Sequence, residues 1–431
     1  MFVLMFGLTS NFFLGNLRCI GSALSFAILL LCSPALGQTS TGEISISVHE
    51  AIAMAWKNDP VRTELQTNQQ SADARAKAAQ SWFAGGPTLS ADYYDDRIGG
   101  SHLGYITWQG SVSVPLWLPG QGTATENVAH ADARTALMRL DVERMAVAVR
   151  VVDAAGAASL ARKRETAALS TLSALKRVSD VVSRSVRAGE SVSVDSQAIM
   201  AQLADARSEL ESAREEISTS RTALQTLLGI DGIPDITQAD RRWLVLTRAN
   251  NLRWVEDDDP RVRAAHQEVI AAQAQVHLAR ASFMPNPEVG VEALDQAQYG
   301  SPWDTQVGFN VRVPLPNAVT TTPLTSAARD RLAAASRQEI QARRAVQNEM
   351  AQVRARLEAA TITLDDARVS ASAMLRRADA MEHSWRLGES PLIEALRART
   401  DAYRSILALN RAEIAWHGAI IRIGIATGTM P

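Results

Sequence analysis

Thr305-Gln306-Val307-Gly308-Phe309-Asn310-Val311-Arg312-Val313-Pro314-Leu315 is the stretch whose reading decides the fold. Thr305, Val307, Phe309, Val311 and Val313 alternate with Gln306, Gly308, Asn310 and Arg312, a period of two that belongs to a β-strand with one apolar and one polar face. Pro314 has no amide hydrogen for a ladder and is expected to end the strand. The pattern stands once more 199 residues earlier. There Ile106, Trp108, Val112 and Val114 alternate with Thr107, Gln109, Ser111 and Ser113, and Val114-Pro115-Leu116 matches Val313-Pro314-Leu315. Each strand has a partner before it. Val289, Val291 and Ala293 alternate with Glu288, Gly290 and Glu292, and Thr88 to Tyr94 is a weaker case. The strands are predicted at about 87–95, 105–114, 287–294 and 304–313. The connections from Asp95 to Gly104 and from Asp295 to Asp304 are rich in Gly, Ser, Asp and Pro, as hairpin loops are.

Outward from the strands the same duplication continues. Asn58-Asp59-Pro60 recurs as Asp258-Asp259-Pro260, and Phe83 and Pro87 as Phe283 and Pro287, at an offset of 200. Arg187-x-Gly189-Glu190-Ser191 returns as Arg386-x-Gly388-Glu389-Ser390, and Gly229 as Gly428, at an offset of 199. Landmarks kept in this order indicate a tandem repeat. The predicted layout is a signal peptide at 1–37, a first repeat at 38–229, a connecting segment at 230–257 and a second repeat at 258–428.

Most of the remainder is alanine-rich and helical. From Thr123 to about Arg187 no proline intervenes, which at 1.5 Å per residue gives a rod of roughly 100 Å. After it, Leu203, Leu210, Ile217 and Leu224 fall at seven-residue spacing, with Ala206, Ala213, Ser220 and Leu227 three residues after each. That is an a/d seam whose small members let helices approach closely. Two long helical hairpins are expected, at about 120–228 and 320–427. Gly189 and Gly388 supply the backbone freedom for their reversals. Ser390 before Pro391 reads as an N-cap followed by a first-turn proline.

Seventeen aromatic residues follow position 37, and eleven of them lie in the windows 82–117 and 283–309, within or beside the strands. Trp82, Trp108, Trp117, Tyr299 and Trp303 suit the interfacial girdles of a transmembrane barrel. The alternative is a small soluble sheet with an aromatic core. Four strands cannot close a barrel and lipid tolerates no open strand edge, so a membrane sheet requires several copies to pool their strands.

Arg18, the apolar run Ile20–Leu31 and the small residues of Ala35-Leu36-Gly37 compose an export signal. Leu31 occupies the place where a lipoprotein signal needs a small residue, which argues against lipidation at Cys32. Both cysteines, Cys19 and Cys32, fall in this segment, so disulfides and thiolate metal sites are not expected downstream. With a net charge of −2 no basic surface offers itself to nucleic acid. The seven histidines do not gather, and Leu118-Pro119-Gly120-Gln121-Gly122 lacks the lysine of a phosphate loop. No catalytic group, metal site or cofactor is expected.

Signal, helix, strand pair, long hairpin, then the same again, resembles the TolC-like outer-membrane efflux family over essentially all of the chain after the signal. The paired Val-Pro-Leu strand ends, the Arg-x-Gly-Glu-Ser tips and the closing Gly229 and Gly428 carry the resemblance. Val114-Pro-Leu-Trp-Leu-Pro-Gly120 is most similar to members from cation-efflux operons. The resemblance implies a mainly α chain with a small β part. Its four transmembrane strands would contribute to a shared 12-stranded β-barrel in a homotrimer, and its hairpins to an α-barrel crossing the periplasm. It further implies a passive duct in the Gram-negative outer membrane, served by a periplasmic adaptor and an inner-membrane pump of the resistance–nodulation–division class. The exit channel of a type I protein-secretion system shares the family, and a soluble periplasmic coiled-coil scaffold is the rival from outside it. By the resemblance Gly189, Glu190, Ser191, Gly388, Glu389 and Ser390 are adaptor-docking candidates. Asp195 and Glu394, six residues beyond each tip glycine, are candidates for an acidic ring at the periplasmic entrance. Arg397 stands where the family often has a second acid.

Overall fold

The computed structural model describes residues 46–97, 99–100, 102–188, 193–237 and 241–428, with the backbone alone at 241–244, 247 and 252. The export signal at 1–37 and the first tip, Gly189 to Ser191, lie outside the described residues. The order is α1 (Val48–Asn58), α2 (Pro60–Ala79), β1 (Thr88–Asp95), β2 (Tyr105–Pro115), α3 (Gln121–Arg187) and α4 (Ser193–Leu228). After α5 (Arg241–Arg253) and a 3-10 turn (Glu256–Asp258) come α6 (Pro260–Ala281), β3 (Glu288–Gln298), β4 (Asp304–Arg312), α7 (Ala318–Arg386) and α8 (Leu392–Ala426).

The repeated landmarks have local causes. Asp59 and Asp259 are N-caps whose carboxylates accept from the Val61 and Arg261 amides at 2.8 and 2.9 Å, each with proline as first helical residue. Asn58 Nδ2 donates to the Leu228 carbonyl at 2.7 Å, fastening the end of α1 to the end of α4. Gly229 follows at φ +74° and passes so close to Asn58 that a Cβ would lie 2.6 Å from its amide nitrogen. One asparagine and one glycine, 171 positions apart, thus make a single joint.

The helices α3 and α7 have 67 and 69 residues, roughly 100 Å each. The pairs α3/α4 and α7/α8 are antiparallel hairpins, and α2 and α6 flank α3. The a/d reading of α4 holds, with Leu203, Leu210, Ala213 and Leu224 all buried. Their partners on α3 are aliphatic: Ala168, Leu172, Leu175, Val178 and Val182 share a cluster with Ile199, Leu203 and Leu210. A second cluster, where α1, α3, α4 and α8 meet, holds Met145, Val151, Leu224, Ile421 and Ile425.

The strands form one antiparallel sheet in the order β1-β2-β3-β4. The two repeats join where β2 pairs β3 from Tyr105↔Gln298 to Pro115↔Glu288. Three details differ from the sequence reading. β3 continues to Gln298 although Leu294 and Asp295 reverse the alternation, because its ladder to β2 runs on to Tyr105↔Gln298. β4 stops at Arg312, so Val313 and Pro314 lie beyond the ladder. α7 begins at Ala318 and carries Pro323 inside it, its first turn capped by Asn317, whose side chain accepts from the Val319 amide at 2.8 Å.

Candidate functional site

Residues paired directly across an antiparallel sheet share a face. One face therefore carries the rows Leu89–Val112–Val291–Phe309, Ala91–Gly110–Ala293–Val307 and, towards its lower end, Val114–Val289–Val311. The opposite face carries Thr88–Ser113–Gly290–Asn310, Ser90–Ser111–Glu292–Gly308 and Asp92–Gln109–Leu294–Gln306. The apolar face is bare: Phe309 is 85 % exposed, Leu89 79 % and Val307 73 %. The polar face has its own hydrogen bonds, with Thr88 and Ser113 hydroxyls 2.7 Å apart and Ser90 and Ser111 2.8 Å apart. A soluble sheet would cover the first face and wet the second. No described helix packs on either.

Aromatic residues stand at both ends of the apolar band. At the end near the helices, Trp82 is 92 % exposed, Phe83 and Phe283 are exposed, and Trp117 donates its indole N–H to the Ser81 carbonyl at 2.9 Å. At the hairpin-loop end, the Tyr93 and Trp108 rings lie 4.7 Å apart, and Tyr299 and Trp303 are exposed at the mouth of the β3–β4 hairpin. The two hairpin loops are tied together there. Arg97 binds the Asp95 carboxylate through Nε and Nη2 and donates to the Tyr299 hydroxyl at 3.1 Å. Tyr299 in turn lies against Gly104, where a Cβ would come within 1.9 Å of its ring.

At the other end of the long helices, the α7–α8 reversal is a Schellman turn. Gly388 at φ +76° donates to the Trp385 carbonyl at 2.9 Å, and the Glu389 amide to Ser384 at 3.0 Å. The expected role of Ser390 fails. Pro391 is the N-cap of α8 and makes no side-chain bond, so Ser390 falls one residue short of capping, and its hydroxyl is buried with no partner. Just inside the turn Leu392 and Leu396 are buried against Leu172, Leu175 and Ile199, so this tip is seated on the first hairpin. Glu394 bonds Arg397 at 2.8 Å, whereas Asp195, half-buried in the first turn of α4, has no ion pair among the described residues.

The family model for outer membrane efflux proteins matches residues 51–230 and 255–429. The chain belongs to the outer membrane efflux protein family. Members of this family are outer-membrane channels. The efflux chain is similar in fold to the Vibrio cholerae outer membrane protein VceC, with 15 % identity over 89 % of this chain and 96 % of VceC and a TM-score of 0.71. It is equally similar to CusC, described for conformational changes accompanying folding and transmembrane channel formation, at 15 % identity, 89 % and 92 % coverage and TM-score 0.71. The Campylobacter jejuni CmeC outer membrane channel follows at 14 % identity, 89 % and 85 % coverage and TM-score 0.67. No curated protein sequence matches the chain.

Polar ties within and between the two hairpins of this efflux protein escaped the sequence reading. Arg164 on α3 binds Glu209 at 2.8 Å and Glu216 at 2.7 Å on α4, and Tyr403 on α8 donates its hydroxyl to the same Glu209 at 2.9 Å. The Arg164 hydrogen bond holds the Glu209 carboxyl below the usual carboxylate range, while burial pushes the Tyr403 phenol up. Within the second hairpin, Arg399 bridges Asp379 and Glu382. None of these partners has a spacing that a sequence pattern would pick out, and Arg97 with Tyr299 is the same case. Among the described residues no group of His, Cys, Asp and Glu could hold a metal ion.

Proposed function

We propose that the protein is the outer-membrane duct of a tripartite efflux system, a passive conduit assembled as a homotrimer. The reversed sheet carries the reading, since a bare apolar face opposite a hydrogen-bonded polar one suits lipid outside and water inside. Both outer strands, β1 and β4, have an unpaired edge, and lipid offers nothing to satisfy it. Three chains pairing β4 of one with β1 of the next would close a ring of twelve strands, four from each. Trp82 and Trp117 would then sit at the periplasmic interface and Trp108, Tyr299 and Trp303 at the outer one. Below the membrane the long hairpins would line a tunnel of roughly 100 Å.

The adaptor is assigned to the tips, Gly189, Glu190 and Ser191 on the first hairpin and Gly388, Glu389 and Ser390 on the second, with the pump of the resistance–nodulation–division class behind it. At the entrance Asp195, without an ion pair among the described residues, carries the acidic charge, and Glu394 contributes less because Arg397 neutralises it. Cations are the favoured cargo class. The polar strand face holds Asp92, Glu288, Glu292 and Asp304 against Arg312 alone, and Arg312 is 3.7 Å from Glu288. The decisive experiment is extraction followed by electrical recording. The mature chain is expected to require detergent, to run as an oligomer and to conduct in a planar bilayer with a cation preference. Release by osmotic shock as a water-soluble monomer would refute the reading. For cargo, a deletion strain is expected to lose metal tolerance, and one that lost drug tolerance alone would overturn the cation assignment.

A further inference from the structure

The connecting helix α5 is the helix whose charge is all basic. Its sequence, Arg-Arg-Trp-Leu-Val-Leu-Thr-Arg-Ala-Asn-Asn-Leu-Arg, has four arginines and no acid. Arg248 and Arg253 are exposed and neither makes an ion pair among the described residues. Val245 and Leu246 are exposed beside them, and Val245 shares a helix face with Arg248. Of the acids that follow, Glu256 and Asp257 are taken up by Arg343 of α7 and Asp259 by Arg261, which leaves Asp258 alone against the four arginines. The helix is held from its far end. Arg354 donates to the Asn251 side chain at 2.9 Å and its carbonyl at 3.0 Å, and stacks 5.7 Å from the Trp254 ring. Outward it presents Arg248 and Arg253 together with Val245 and Leu246.

Position decides what can meet it. At 1.5 Å per residue, the anchoring residues Arg343 and Arg354 lie about 40 and 55 Å along α7 from the end that adjoins β4. That is beyond the headgroups of a bilayer whose hydrocarbon core is about 30 Å thick, so lipid phosphate is out of reach. Guanidinium groups match carboxylates in pairs of parallel hydrogen bonds. We propose that α5 is a docking surface for the cell wall, a polymer that lies in the periplasm and bears a free carboxylate on each repeating peptide stem. Three copies of α5 around the duct would bind such a mesh multivalently, each contact weak and the set firm. The methyl-bearing stems give Val245 and Leu246 something apolar to cover. The inference rests on the duct reading, which places α5 in that compartment.

The test is cosedimentation of the purified full-length protein, in detergent, with insoluble peptidoglycan sacculi. The parent is expected to pellet with sacculi and to be released by salt. Arg248→Glu/Arg253→Glu should lower the bound fraction by about tenfold, Arg248→Lys/Arg253→Lys should keep most of it, and sacculi with carboxylates amidated should fail to retain the parent. Equal retention of the parent and the glutamate variant, or undiminished retention on amidated sacculi, overturns the proposal and leaves an acidic protein as the partner of α5. Planar-bilayer conductance of both proteins is recorded alongside. No conductance from either overturns the duct reading on which the proposal stands; conductance from both with equal retention overturns the wall contact alone.

Discussion

Ser390 shows how a single position can look settled in sequence and be different in space. A serine before proline at a helix start resembles a cap, yet the hydroxyl is buried and unpartnered because the Schellman turn delays the helix by one residue. A buried donor without a partner costs about 1–3 kcal/mol. Ser390→Ala is therefore expected to raise the unfolding midpoint, which calorimetry or denaturant titration would show. Gly104 makes the opposite case. Its φ of +80° and its contact with Tyr299 leave no room for a methyl group, so Gly104→Ala should cost about 1–3 kcal/mol in the same assay. His417 is pushed below the ordinary imidazole value by burial beside Trp416, with Glu413 and Asp235 opposing and Lys163 and Arg368 reinforcing. A folded-state value below the unfolded one means the unfolded chain binds the extra proton first. Stability is then complete above about pH 6.5 and declines as pH falls through the folded value. A melting curve of His417→Gln should lack that decline.

At the level of elements, the strands were legible because period two is a strong local signal, and the a/d seam of α4 because seven-residue spacing is another. The boundaries were not. Pairing with β2 carries β3 to Gln298 through residues whose composition reads as loop, and Asn317 starts α7 at Ala318, ahead of the expected 320, with Pro323 carried inside the helix. The ties among the long helices were invisible for a different reason: Arg164 reaches Glu209 only once α3 and α4 fold back on each other, and Tyr403 reaches it from α8 only once the two hairpins lie side by side. Tyr403→Phe removes one hydrogen bond to a carboxylate and is expected to cost about 1–2 kcal/mol. Because Arg164 depresses Glu209, that pair stabilises fully above the ordinary carboxylate value and fades as pH falls through the folded one. Arg164→Ala should flatten this acid dependence, read as the change in unfolding midpoint between pH 6 and about pH 3. The two faces of β4 can be told apart by one residue each. Val307→Arg places a charge on the bare apolar face and should cost about 2–4 kcal/mol of membrane assembly, while Gln306→Arg on the polar face should assemble normally. Equal assembly of the two would reverse the assignment of faces.

For the molecule as a whole, the tandem repeat explains why a chain of this length has one sheet and one set of coils. Each repeat supplies half of both, and β2 with β3 is the seam between them. Conduction integrates over that whole path. Asp92→Asn together with Glu292→Gln is expected to weaken the cation preference without lowering oligomer yield, and Asp195→Asn to do more than Glu394→Gln because Arg397 already offsets Glu394. Reversal potentials in asymmetric salt would measure each. An unaltered potential in all four substitutions would place the selectivity elsewhere.

The free edges of β1 and β4 also bear on biogenesis. A solitary chain that entered a bilayer would strand two rows of amides and carbonyls in oil, at several kcal/mol for each orphaned group. Insertion must then follow encounter between sister chains, so the amount embedded should climb more steeply than linearly with export rate. A cell producing little of this polypeptide would accumulate it as waiting, half-wetted monomers with Phe309 and Leu89 bared to the periplasm, a burden for holding chaperones and proteases.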